Sequence, residues 1–289
     1  MKLTFQKTAL LNGINIVLKA VPSKTTMPIL ECILIDASTD EIKLTANDME
    51  LGIETKVEGD ILEKGKIALD AKLFSEIARK LSDSDSLVTI ESDEKFNTVI
   101  TCENSVFKIQ GKDGEEFSYL PYIERNKNIT LSQFSLKEVI RQTIFSISAN
   151  DSNKMMAGEL LEVKDDFLKV VSLDGHRISI RNIQLKEHYD NHKVIVPGKT
   201  LSEISKILTG DNEKEVLIYF SKNHILFEFD DTVVVSRLID GEYFKIDHML
   251  SSDYETKVTV NKKEFLDCID RASILIREND KKPIIIDIQ

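Results

Sequence analysis

A long internal repeat constrains this chain more than any other sequence feature. The segment GKIALDAKLFSEIARKL at residues 65–81 returns as HKVIVPGKTLSEISKIL at residues 192–208, with a constant offset of 127 positions. The beginning of the chain returns more loosely from Ile129 and again from Val258. Because this period far exceeds the roughly 33 or 34 residues of an ankyrin or TPR unit, each repeat is expected to be a complete domain. The 289 residues then divide into two full domains and an incomplete third, at 1–122, 123–250 and 251–289.

Each full domain contains the same order of elements twice: one strand, one amphipathic helix and three short strands. In the first domain the helices are predicted at residues 7–20 and 71–81, and the second is expected to bury Leu73, Ile77 and Leu81. The pattern predicts the α+β class, as tandem domains that each consist of two βαβββ half-units with antiparallel sheets.

Composition excludes several classes of protein. With 42% hydrophobic and 30% charged residues, the chain has the balance of a folded soluble protein. No apolar stretch approaches the roughly 20 residues that span a bilayer, and the start lacks the apolar core of a signal peptide, so we expect a cytoplasmic protein without membrane contact. The cysteines, Cys32, Cys102 and Cys268, are too widely spaced to indicate disulfides or a zinc site. No metal or cofactor is expected.

Positive charge is concentrated on the predicted helices. The chain has a formal net charge of −11, but the five predicted helices together carry +7 and the remainder −18. These helices are predicted at residues 7–20, 71–81, 135–147, 199–208 and 261–277. In both full domains the second helix has two basic residues seven positions apart, Lys72 with Arg79 and Lys199 with Lys206. Seven residues is close to two helical turns, so each pair lies on one polar face. This face is either ordinary solvated surface or a surface that binds phosphates without reading base sequence.

The string Asp174-Gly175-His176-Arg177 is the most chemically suggestive in the chain. An Asp and a His two residues apart could form the acid/base pair of a hydrolase, although no nucleophile or metal ligand is signalled. The same string is typical of a turn that follows a strand. A third interpretation is a recognition corner for the side chains of a partner protein.

Several further strings occur together with the repeat. They are Thr26-Met27-Pro28-Ile29-Leu30, Asn47-Asp48-Met49-Glu50, Ser172-Leu173-Asp174-Gly175-His176-Arg177-Ile178, Val194-Ile195-Val196-Pro197 and Leu238-Ile239-Asp240-Gly241-Glu242-Tyr243. With the repeat, they resemble the bacterial beta sliding clamp family, the processivity subunits of replicative DNA polymerases. The resemblance covers essentially the whole chain.

The resemblance implies the DNA-clamp fold, in which two crescents close head to tail into a ring around duplex DNA, with helices inside and sheets outside. Such a protein is not an enzyme; its partners are DNA, the replicative polymerase subunit, the clamp loader and other proteins with clamp-binding peptides. The implied DNA contacts are Lys24, Lys72, Arg79, Asn150, Lys199 and Lys206. The implied peptide pocket is formed by Met156, Leu173, Gly175, His176, Arg177, Ile178, His248 and Met249. The implied seam of the homodimer is formed by Phe107, Ile109, Ile274 and Leu275.

The chain departs from the family pattern at the pocket and at its end. Tyr243-Phe244 replaces the usual Phe-Pro, His248 stands where arginine is common, and Leu173 stands where a small polar residue is common. These changes are expected to alter peptide preference. Because the third domain is short of strands, a monomeric peptide-docking module that closes no ring is a second hypothesis, and the hydrolase is a third.

Overall fold

The computed structural model describes residues 1–81, 86–126, 128–148, 153–250, 253–276 and 283–288. The chain divides into two units, Met1–Tyr243 and Phe244–Gln289. Within the described ranges, no helix is both long enough and apolar enough to cross a membrane.

The first repeat has the predicted order of elements, with two additional short strands. Its helices are α1 (Lys7–Val17) and α2 (Ala71–Lys80). Its strands are β1 (Lys2–Gln6), β2 (Cys32–Asp36), β3 (Ile42–Asn47), β4 (Leu51–Val57), β5 (Asp60–Glu63), β6 (Lys66–Asp70), β7 (Leu87–Ser92), β8 (Asn97–Cys102), β9 (Ser105–Gln110) and β10 (Lys112–Asp113).

In the second repeat, one long hairpin replaces several short strands. Its helices are α3 (Gln133–Thr143) and α4 (Gly198–Ile207). Its strands are β11 (Asn128–Ser132), β12 (Gly158–Leu173), β13 (Ile178–Pro197), β14 (Glu215–Phe220), β15 (His224–Phe229) and β16 (Thr232–Arg237). The β12–β13 pairing shifts register on either side of Asp165, whose φ of 54° bends the strand there.

Helix α2 begins where the sequence indicates but buries a different stripe of residues. The Asp70 side chain accepts a 2.8 Å hydrogen bond from the Leu73 N–H and so caps the first turn. The helix buries Phe74, Ile77 and Ala78, spaced three and four residues apart, whereas Leu73 is 43% exposed. The prediction that Leu73 faces the core is therefore wrong, because Leu73 lies about 100° around the helix from Phe74.

The two repeats are joined through a single sheet. A nine-stranded antiparallel sheet has the order β10-β6-β2-β3-β4-β16-β15-β14-β11, so that strand β4 of the first repeat pairs with β16 of the second. The register places Thr55 opposite Thr232, and their hydroxyls lie 2.9 Å apart in a buried hydrogen bond. A five-stranded sheet, β5-β1-β7-β8-β9, completes the first repeat.

The helices pack in pairs, α1 against α2 and α3 against α4. In each pair a lysine of the first helix satisfies a carbonyl just beyond the end of the second. Lys7 Nζ donates to the Leu81 carbonyl at 2.6 Å, and Lys137 Nζ donates to the Leu208 carbonyl at 2.7 Å. These two lysines therefore complete helix ends and are less available to an external ligand.

The unit Phe244–Gln289 contains one helix, α5 (Lys262–Ser273), within its described residues. The Asn261 side chain caps it by accepting from the N–H groups of Lys263 and Glu264. None of the residues of α5 is buried. A 3-10 turn, Ile246–His248, lies near the start of this unit.

Candidate functional site

The predicted basic pairs lie on the exposed sides of α2 and α4. Lys72 and Arg79 are exposed on α2, opposite its buried residues. On α4, the side chains of Lys199 and Lys206 are 59% and 53% exposed, while Leu201 is buried. Each helix thus presents its basic pair to solvent on the side opposite its buried apolar residues, an arrangement that can contact phosphates.

The four cations differ in their electrostatic partners. Lys72 has no partner within the described parts of the chain, and Arg79 reaches only the neutral Asn15 side chain, at 3.5 Å. By contrast, Lys206 is paired with Glu203 on the same helix at 2.7 Å, and Lys199 is paired with Asp48 of the first repeat at 2.5 Å. The cations of the first repeat are therefore more available to a ligand.

The remaining implied DNA contacts are less defined by the fold. Lys24 is exposed in the segment between α1 and β2 and makes no ion pair with any described residue. Asn150 lies outside the described residues.

The Asp174-Gly175-His176-Arg177 string forms the tight turn between β12 and β13. Asp174 Oδ1 accepts from the N–H groups of His176 and Arg177, and Oδ2 accepts from Arg177 Nε at 2.9 Å. These hydrogen bonds lower the pKa of the Asp174 carboxyl, the bond from the His176 N–H most of all. Gly175 has a φ of 88°, which a side chain would disfavour.

This turn does not have the geometry of a catalytic pair. The Asp174 carboxylate is committed to the turn, and the exposed His176 imidazole makes no hydrogen bond to it. Among the described residues, no three His, Cys, Asp or Glu side chains converge on a point that could hold a metal ion. The turn interpretation of the sequence is confirmed.

The implied pocket residues of the first unit come together around this turn and the end of α3. The Ser148 N–H donates to the Met156 carbonyl at 2.8 Å, and the Ser146 hydroxyl lies 2.6 Å from that of Ser179, which follows Ile178. Met156 and Ile178 are half-buried. Leu173, implied as a pocket residue, is only 2% exposed and therefore offers almost no surface to a peptide.

Phe145 also contributes to this surface, although it was not predicted from the sequence. Its ring is 56% exposed, and the Arg177 guanidinium carbon lies 5.8 Å from the ring centroid. The structure places Phe145 in the 3-10 turn Ile144–Ser146 that directly follows α3. The sequence offered one signal, because a continuation of the helical spacing places position 145 opposite the buried Leu136.

Two implied pocket residues belong to the other unit. His248 ends the 3-10 turn of that unit, and Met249 directly follows it. Both side chains are exposed, Met249 by 51%.

A buried polar cluster lies behind the turn, formed by Thr143, Glu159, Ser172 and Tyr243. Glu159 is fully buried, and its Oε2 accepts a 2.9 Å hydrogen bond from the Thr143 hydroxyl, while Oε1 has no hydrogen-bond donor among the described residues. Burial raises the pKa of this carboxyl to about 8, although the Thr143 bond opposes the shift. This site was not predicted from the sequence. Glu159 occupies an inward position of a strand, where the alternating pattern predicts an apolar residue.

Tyr243 closes this cluster. It is 5% exposed, and its hydroxyl donates to the carbonyls of Val171 and Gly158 at 3.3 and 3.4 Å. Burial, and then the nearby Glu159, raise the pKa of the Tyr243 phenol. Tyr243 therefore anchors the end of the first unit to strand β12.

The implied seam residues lie in two places. Phe107 and Ile109 are half-buried on β9, the outermost strand of the five-stranded sheet, which pairs only with β8 among the described strands. Ile274 and Leu275 follow α5 and are 79% and 84% exposed. An unpaired strand edge and an exposed apolar pair are both surfaces that can take a partner chain.

Paired helices against antiparallel sheets, with an α+β half-unit that recurs through the chain, define the DNA-clamp fold. Residues 1–121 match the family described as DNA polymerase III beta subunit, N-terminal domain, and residues 130–245 match its central domain. The beta sliding clamp of Staphylococcus epidermidis is 35% identical over 98% of this chain and 77% of its own length. The chain belongs to the bacterial beta sliding clamp family.

Solved structures agree with this assignment. A DNA polymerase III beta subunit from Eubacterium rectale is 66% identical, with a TM-score of 0.94, over 96% of this chain and 76% of that one. The DNA polymerase sliding clamp of Bacillus subtilis is 36% identical, with a TM-score of 0.92, over 96% of this chain and 75% of that one. These matches favour the sliding clamp over both the hydrolase and the monomeric module.

Proposed function

We propose that this chain encircles duplex DNA as a head-to-tail homodimeric ring and tethers the replicative polymerase to it, without catalysis of its own. The observation that best supports this proposal is that α2 and α4, the matching helices of two repeats joined by the nine-stranded sheet, each expose a basic pair. Phosphate contacts bind without reading sequence, as sliding requires. We place this activity in the bacterial cytoplasm.

Retention by such a ring comes from topology. A closed ring cannot leave DNA sideways, so its inner surface needs only weak, exchangeable phosphate contacts. The acidic remainder of the chain limits adhesion to DNA elsewhere. We assign the inner contacts to Lys24, Lys72, Arg79, Asn150, Lys199 and Lys206, and the seam to Phe107, Ile109, Ile274 and Leu275.

The proposed ring can be tested by measuring how long the protein is retained on DNA. The chain should have the mass of a dimer in solution. After loading by a clamp loader, it should remain on circular duplex DNA and be lost once that DNA is linearised. A monomeric mass, or equal loss from circular and linear DNA, would contradict the proposal.

We assign peptide docking to the surface around the Asp174–Arg177 turn, with Met156 and Ile178. In the unit Phe244–Gln289, we assign His248 and Met249 to peptide binding on the family resemblance alone. Half-buried apolar side chains beside an exposed aromatic residue are the kind of surface that anchors the short peptides of the polymerase subunit, the clamp loader and other partners. Tethering through such a peptide raises the effective concentration of the polymerase at the DNA.

Truncation of the apolar anchors should weaken peptide binding. The double variant Met156→Ala/Ile178→Ala is expected to reduce affinity for the C-terminal peptide of the cognate polymerase subunit about tenfold or more, because apolar anchors dominate such contacts. Fluorescence anisotropy with a labelled peptide measures the change. Val106→Ala, at a 57% exposed position on β9, is the control and should leave peptide affinity unchanged. If the double variant and the control bind the peptide with equal affinity, the peptide-binding site does not lie on this surface.

A further inference from the structure

The ion pair between Lys199 and Asp48 crosses from one repeat to the other. Lys199 is the second residue of α4, whereas Asp48 lies in the turn between β3 and β4. Lys199 Nζ and Asp48 Oδ2 are 2.5 Å apart. The lysine side chain is 59% exposed, but the aspartate side chain is only 9% exposed.

The Asp48 carboxylate is held in place independently of Lys199. Its Oδ1 accepts from the N–H groups of Glu50 and Leu51, at 3.0 and 2.6 Å. A hydrogen bond also joins this turn to the end of β16, since the Arg237 N–H donates to the Glu50 carbonyl at 2.8 Å. A carboxylate that is held by two backbone N–H groups therefore faces an ammonium group at the end of a long, exposed side chain.

Neither of the other two lysines of the basic pairs, Lys72 and Lys206, has an equivalent partner among the described residues. Lys206 pairs with Glu203, which lies on its own helix, in an exposed i,i+3 pair of the type that contributes little free energy. Lys72 has no ion pair with any described residue. Lys199 also lies in the first turn of α4, where the positive end of the helix dipole disfavours a cation, so without Asp48 its ammonium would be better placed away from the helix.

We propose that Asp48 is an intramolecular competitor for Lys199. The Asp48 carboxylate binds the Lys199 ammonium group, which would otherwise bind a DNA phosphate. The second repeat therefore contributes less to DNA affinity than the first. Asp48 is a positioning residue, since it acts through Lys199. The inference rests on the proposed DNA-binding role of the basic pairs.

Release of Lys199 should strengthen DNA binding. Asp48→Asn preserves the acceptor for the Glu50 and Leu51 N–H groups but removes the charge. Binding of the full chain to a short fluorescent duplex, measured over a series of salt concentrations, should tighten by about three- to tenfold at low salt. The slope of log affinity against log salt should steepen by about one for each Lys199 released, a change that a merely structural role of Asp48 would not produce.

Two further variants make the test decisive. Lys199→Met should cost less affinity than Lys72→Met in the otherwise unchanged chain, and it should abolish the gain in the Asp48→Asn background. Glu41→Gln is the matched control: it removes one negative charge from the exposed pair with Lys56, 2.6 Å long, and should leave the salt slope unchanged.

The inference is overturned if Asp48→Asn leaves affinity and slope unchanged, or if Lys199→Met costs as much as Lys72→Met. The second comparison holds even if Asp48→Asn lowers the melting temperature, because both lysines are exposed and their replacement leaves the fold intact. If Lys72→Met itself leaves DNA affinity unchanged, the proposed DNA-binding surface fails, and this inference fails with it.

Discussion

Replacement of Glu159 by glutamine is expected to stabilise the protein at alkaline pH and to remove most of the pH dependence that this residue causes. The Glu159 pKa is about 8 in the folded protein, against an ordinary value of 4.5. Between these values the folded state keeps a proton that the unfolded state releases, so the contribution of Glu159 to stability is fully present below pH 4.5 and is lost as pH rises to about 8. The loss is about 1.4 kcal/mol for each pH unit, or on the order of 5 kcal/mol in all.

Thermal melts of the full chain and of Glu159→Gln across this pH range measure the effect. The melting temperatures should converge in acid and diverge progressively up to pH 8, with the variant higher. Glu162→Gln is the matched control, since it is three positions away on the same strand and only half-buried. If both variants follow the pH profile of the unchanged chain, Glu159 is not the buried acid that the geometry indicates.

Charge reversal of the basic pair of α2 should abolish most DNA binding. In Lys72→Glu/Arg79→Glu, two exposed cations that have no carboxylate partner among the described residues become anions, so two phosphate contacts are replaced by repulsion. We expect affinity for duplex DNA to fall about 100-fold or more at low salt, and the salt slope to decrease by about two for each chain. Anisotropy with a fluorescent duplex over a series of salt concentrations measures both quantities.

A control of equal charge separates this effect from general electrostatics. Lys95→Glu/Lys164→Glu makes the same change in net charge at two exposed positions outside the helices. It should reduce affinity only slightly, because these lysines are not on the proposed DNA-binding face. Equal losses for the two double variants would mean that only net charge, and not the α2 face, governs DNA binding.

The local elements were predictable because they depend on patterns that are short in sequence. The amphipathic spacing in α1 and α2, and the strand alternation after each helix, are local consequences of side chains that must face one core. The basic pairs were predictable for the same reason, since residues seven apart share a helix face wherever the helix lies. Leu73 shows the limit of predicting burial from periodicity. Helical spacing does not specify whether a residue at the edge of an apolar stripe lies inside or outside the core.

The contacts that distinguish this clamp come from residues far apart in sequence. Glu159 lies on an inward strand position, and its neighbour Tyr243 is 84 residues later, so no local pattern marks the buried cluster. Phe145 meets Arg177 only because α3 ends beside the β12–β13 turn.

The repeat, the α+β half-unit, the family resemblance and the segregation of positive charge to helices can all be read from the amino-acid sequence. The pairing of β4 with β16, which joins the repeats in one sheet, became visible only in the fold. That pairing, and the turns beside it, bring Asp48 within 2.5 Å of Lys199, although the two residues are 151 positions apart. The physical reason is that periodicity specifies which face of an element is apolar, whereas the partner of an individual charge depends on which strand edges meet. The formal net charge of −11 is thus a property of the sequence, whereas the fold determines which cations are available to bind DNA.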